Sequence, residues 1–123
     1  MHGSDERHRY LTLGFQRTDW RELGTEADKE GTTLEGLIGR ACSIFVDQLD
    51  DEPRRSRAPR FSLAAGSLRE IGLDLPAESW VRLEGEAGRQ GITLERLIEH
   101  AVALYLGDLR TQAWPIPFAT ETF

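Results

Sequence analysis

Guanidinium groups carry the most pointed chemistry in this chain: Arg54, Arg55, Arg57 and Arg60 fall within the nine residues EPRRSRAPR, and Arg9 and Arg69 stand sixty positions apart. Arginine forks match phosphate and carboxylate oxygens, so these side chains are candidate contacts to a polyanion. Beyond Arg9 the stretch RYLTLGF carries Tyr10, Thr12 and Gly14 at every second position, and beyond Arg69 the stretch REIGLDL carries Glu70, Gly72 and Asp74. Threonine is a modest reader of base edges, while a carboxylate accepts from a cytosine amino group and repels phosphate. A Pro/Arg stretch is also the ordinary composition of a solvated tether, so Arg54, Arg55 and Arg57 read either as a DNA-contacting arm or as a linker.

Other chemistry is thin. His2, His8 and His100 lack cysteine or carboxylate partners at metal-ligand spacing, and the chain has no Gly-rich phosphate loop. Glu26, Asp28 and Glu30 read as a solvated helix face, and Cys42 as a small buried hydrophobe on the apolar side of a helix. No enzyme activity, metal or cofactor is expected.

The elements that must position these residues come in two copies. Laying residues 9–49 over 69–109 without a gap gives fourteen identities in forty-one positions, including Arg9/Arg69, Trp20/Trp80, Gly31/Gly91 and Thr33/Thr93. Most fall at apolar and turn-forming sites, which marks an internal duplication. Each copy opens on alternating apolar residues, Leu11, Leu13, Phe15 and Ile71, Leu73, Leu75, which predicts a half-buried strand. A helix follows, capped by Thr18 or Asp19 in the first copy and entered at Pro76 in the second, with Trp20, Leu23, Ala27 and Trp80, Leu83, Ala87 on one face. Gly31 and Gly91 stop it. Thr33 and Thr93 then cap a second helix with apolar stripes that run from Leu34 to Leu49 and from Leu94 to Leu109.

Size and charge set the outer limits. The 123 residues, 39% hydrophobic and 29% charged, suit one small soluble domain and are too few for two independent cores, so the copies must share one. No run approaches the length of a membrane span and MHGSDERHRY lacks the apolar stretch of a secretory signal, which makes the cytoplasm the expected compartment. The net charge is −6, and neither copy is basic: residues 9–49 hold five Lys/Arg against seven Asp/Glu, and residues 69–109 hold four against eight.

One strand and two helices cannot bury their apolar faces alone. The stretch LDLPAESWVRLEGEAGRQGITLERLIEHAVALYL resembles the ribbon-helix-helix family of Arc- and MetJ-type repressors and many antitoxins, and the resemblance covers both copies, about two thirds of the chain. It implies a mainly α fold in which two tandem strand-helix-helix repeats, 9–49 and 69–109, form one single-chain pseudo-dimer. A Pro/Arg-rich linker over 50–68 joins them, and their strands pair as a two-stranded antiparallel ribbon. The resemblance further implies a DNA-binding transcriptional regulator, repressor or antitoxin-like, that lays its ribbon in the major groove of double-stranded DNA. On that reading Arg9, Tyr10, Thr12 and Arg69 contact DNA at the ribbon, and Thr33 and Thr93 mark helix starts that meet phosphates. The alternative is a scaffold of the same fold that has given up DNA and holds a protein partner.

The tail, residues 110–123, ends in WPIPFATETF, where Pro115 and Pro117 exclude a continuous helix. Trp114, Ile116, Phe118 and Phe123 are too apolar to stand free in water. They either fold back over this protein's own helices or dock on a protein partner. A pseudo-dimer of this kind is expected to be monomeric in chain count, with self-association left open.

Overall fold

A computed structural model describes residues 7–51, 57–58 and 66–113. Among them the order is β1 (His8–Phe15), α1 (Arg17–Glu30), α2 (Leu34–Gln48), β2 (Ser67–Asp74), α3 (Ala77–Gln90) and α4 (Leu94–Ala113). The fold is mainly helical with one small antiparallel sheet. No described helix is long and apolar enough to cross a membrane.

The alternation in the two apolar stretches does what a pleat requires. Leu11, Leu13, Phe15, Ile71, Leu73 and Leu75 are buried, while Tyr10, Thr12, Glu70 and Asp74 are exposed. β1 and β2 pair with Leu11 opposite Ile71 at the centre, Arg9 opposite Leu73 and Leu13 opposite Arg69. The strands begin a residue or two earlier than the sequence pattern indicates, at His8 and Ser67, because the ladder extends as far as it finds a partner.

Behind the sheet the helices bury the expected stripes. Trp20, Leu23 and Ala27 of α1 and Trp80, Leu83 and Ala87 of α3 are all buried. Leu37, Ile38 and Ala41 of α2 and Leu97, Ile98 and Ala101 of α4 join them in one core cluster. Leu13, Leu37, Leu73 and Leu97 have no exposed surface, so truncating any one to alanine removes transfer energy and leaves a cavity, at a cost of about 2–5 kcal/mol. Cys42 is buried as well, and burial pushes its thiol up to about 12.

Turn chemistry follows the residues. Gly31 and Gly91 adopt left-handed φ of 70° and 73°, and their N–H groups close the last turns of α1 and α3. One expectation is corrected: neither Thr18 nor Asp19 caps α1, which starts earlier. Gln16 is the N-cap, its carbonyl accepts from Trp20 N–H at 3.0 Å, and no side chain caps the turn. The short step from the end of β1 leaves no room for two more extended residues, and Asp19 instead sits in the first turn, where the helix dipole favours a carboxylate. Pro76 opens α3 as expected, its fixed φ of −56° suiting the entrance.

Candidate functional site

The exposed face of the sheet is the surface that the sequence singles out. The pleat turns His8, Tyr10, Thr12 and Gly14 outward on β1 and Leu68, Glu70, Gly72 and Asp74 outward on β2, with Tyr10 opposite Gly72 and Thr12 opposite Glu70. Tyr10 is 68% exposed and Leu68 71% exposed, and the His8 and Tyr10 rings meet edge to face at 4.9 Å. Two carboxylates, one phenol, one isobutyl group and one imidazole thus share a narrow strip.

Arg9 and Arg69 are not on that strip. By pleat parity they belong to the core side, at opposite ends of the ribbon, and each guanidinium lies over a tryptophan. Arg9 sits 4.7 Å from the centre of the Trp80 ring and Arg69 sits 4.7 Å from that of Trp20. The indoles are also held at their edges, since Trp80 Nε1–H donates to the Arg7 carbonyl at 2.8 Å and Trp20 Nε1–H to the Ser67 carbonyl at 3.0 Å. The two arginines then part ways. Arg9 donates to Glu84 in an ion pair, while Gly24 occupies the position sixty residues before Glu84 and Arg69 forms no ion pair among the described residues.

Thr33 and Thr93 do cap their helices. Thr33 Oγ1 accepts from Gly36 N–H at 3.0 Å and Thr93 Oγ1 from Arg96 N–H at 3.1 Å. Both hydroxyls are thereby engaged within the first turn, and both residues are exposed. The helix starts flank the ribbon differently. At the α4 start, Glu99 reaches the ribbon, its Oε2 accepting from Gly14 N–H at 2.8 Å and its Oε1 from Arg96 at 3.2 Å. At the α2 start the corresponding position is Gly39, and a groove of about 610 Å³ stays open there between His8, Tyr10 and Asp74 on the ribbon and Gly36, Gly39 and Ser43 on the helix.

Arg57 is exposed, close to the buried Ala58, whose N–H donates to Gln90 Oε1 at 2.8 Å. Arg54 and Arg55 lie outside the described residues, as do Trp114, Ile116, Phe118 and Phe123. The structure therefore brings Tyr10 and Thr12 together, sets Arg9 and Arg69 behind them, and stands Thr33 and Thr93 to either side. Among the described residues no group of three or more His, Cys, Asp or Glu is arranged to hold a metal ion.

Sequence reasoning missed Glu84, Glu99 and the groove. The signal lay at the mismatched positions of the duplication, where Gly24 faces Glu84 and Gly39 faces Glu99. It also missed that Arg9 and Arg69 lie over Trp80 and Trp20 instead of on the outward strip, although both share the every-second-residue register of Leu11, Leu13 and Ile71, Leu73. Comparison with protein-family models, with curated proteins and with solved structures returns no match to this chain.

Proposed function

We propose that this chain is a single-chain pseudo-dimer of ribbon-helix-helix type, and that its exposed ribbon is a protein-binding face. The pseudo-dimer reading is supported by contacts that recur at an offset of sixty residues. Trp20 on Ser67 corresponds to Trp80 on Arg7, Arg69 over Trp20 to Arg9 over Trp80, and the pairing of Leu13 with Arg69 to that of Leu73 with Arg9. The register is thus its own image about the Leu11–Ile71 pair.

The observation that carries the function is the ribbon's outward chemistry. A face of His8, Tyr10, Leu68, Thr12, Glu70 and Asp74, with both arginines packed over tryptophans, carries no arginine or lysine of its own and offers a protein two exposed apolar anchors between acceptors. Aromatic and aliphatic anchors ringed by polar groups are what protein interfaces use.

DNA remains the second reading because one observation favours it. Arg69 is exposed and without an ion pair among the described residues, so one end of the ribbon keeps a cation that no carboxylate neutralises there.

Fluorescence anisotropy of the full chain against mixed-sequence duplex DNA, over a salt series that starts near 50 mM, decides between them. Protein binding predicts no anisotropy change even at the lowest salt. Binding whose log affinity falls linearly with log salt gives the function to DNA.

A further inference from the structure

A groove of about 200 Å³ lies between the C-terminal halves of α2 and α4. Its lining is mixed: Ala41, Ile44 and Phe45 on α2 and Leu104, Tyr105 and Leu109 on α4 supply the apolar part. Gln48 and Asp108 stand among its polar members. Ile44 is 38% exposed, and Leu104, Tyr105 and Leu109 are only partly buried, so the described residues leave this surface without a full cover.

The chain that follows α4 is suited to supply one. The helix ends at Ala113, and residues 114–123 read WPIPFATETF. Leu109 lies one turn before that end, and Arg110 is tied to Asp19 and Glu22 of α1 at 3.3 Å and 2.5 Å. Running back from Ala113 to the level of Leu104 covers about 14 Å of helix axis. Ten extended residues span roughly 33 Å, so the reach is ample. Pro115 and Pro117 exclude a continuous helix through this sequence, and in an extended stretch Trp114, Ile116 and Phe118 would share one side. In the other connecting segment, Ala58 is buried and its N–H donates to Gln90 at the end of α3.

We propose that the last segment of this chain turns back beyond Ala113 and occupies the groove between α2 and α4, with Trp114 nearest Leu109 and with Ile116 and Phe118 toward Ile44, Leu104 and Tyr105. It closes the open side of the core within one chain and leaves the ribbon as the face presented outward. This assignment is independent of whether the ribbon binds protein or DNA.

Cysteine cross-linking in the full chain tests it. Ile44→Cys is combined in turn with Trp114→Cys, Ile116→Cys and Phe118→Cys, and each protein is oxidised at low concentration; native Cys42 is buried and stays out of the reaction. The expected product is an intramolecular disulfide in at least one pair, seen as a monomer of faster non-reducing mobility. A disulfide-linked dimer from every pair means that a second copy fills the groove, and no cross-link means that the tail lies elsewhere; either result overturns the proposal. A second measurement covers the case in which a cysteine pair disturbs folding. Removal of residues 114–123 is expected to raise binding of a hydrophobic dye several-fold while the far-ultraviolet helix signal is kept, and Leu104→Glu in the shortened chain should remove that gain. Unchanged dye binding on truncation overturns the assignment as well.

Discussion

The two ends of the ribbon are built from matching residues and finished in opposite ways. At the Arg9 end the inner side is locked, with the guanidinium held between Trp80 and Glu84, while the outer side is open at Gly36, Gly39 and Ser43. At the Arg69 end the outer side is closed by Glu99 on Gly14 N–H, and the inner guanidinium has its tryptophan and no carboxylate among the described residues. The repeated residues hold the scaffold, and the unrepeated ones decide what each end can touch. Matching residues can therefore hold one core while the unmatched ones give the two ends of the sheet different surfaces.

The largest expected effects test the shared part. Trp20→Ala and Trp80→Ala should each cost on the order of 3–5 kcal/mol in urea denaturation, because each empties a buried ring and frees an indole contact to the strand backbone. Trp80→Ala should be the costlier, since Arg9 and Glu84 lose their arrangement too; a Trp20→Ala cost clearly above it would break the comparison.

Next comes the closed outer side. Glu99→Ala leaves the Gly14 N–H without its charged acceptor and should cost about 1.5–3 kcal/mol. At the matching place in α2, Gly39→Ala should stabilise by up to about 1 kcal/mol, because a Cβ there meets only Leu75 Cδ2 at 3.7 Å and the helix sheds a glycine. Thermal denaturation of the two variants should shift in opposite directions, and a shift in the same direction would mean that the groove is strained rather than simply open.

The second helices differ in their core too, with Cys42 where the other carries Val102. The Cys42 thiol stays protonated in the folded chain to about pH 12, whereas in the unfolded chain it ionises near pH 8.5. Unfolding then releases a proton, so stability falls by about 1.4 kcal/mol per pH unit above pH 8.5 from this group, and below it the group has no such effect. Cys42→Val should flatten that slope in denaturation curves taken between pH 8 and 10.

The arginines should matter least for stability. Arg9→Ala is expected to exceed Arg69→Ala by less than about 1 kcal/mol, since its pair with Glu84 is partly exposed, and the difference should fade in 1 M salt. Gly24→Glu should narrow it by giving Arg69 a partner of its own.

Much of the scaffold was readable beforehand because it rests on local rules. Alternation gave Leu11, Leu13, Ile71 and Leu73 to the core, and left-handed geometry and capping needed only Gly31, Gly91, Thr33 and Thr93. Thr18 and Asp19 misled because the cap rule knows side chains and not the distance to the preceding strand. Glu99 and Glu84 stayed hidden for a different reason. Their partners lie 85 and 75 residues away, and nothing local in either stretch says which backbone or guanidinium will arrive.

The pairing of β1 with β2 also sets how the molecule comes together in time. The sheet's two strands sit on opposite sides of the segment around Ala58, so neither can finish until that loop has closed, and the tether fixes how often they meet. A protease cut at the Arg54–Arg55 bond would turn this encounter from a property of one chain into a reaction between two. Folding would then depend on dilution, and the fragments should come apart in the micromolar range or below while the intact chain stays folded at any concentration.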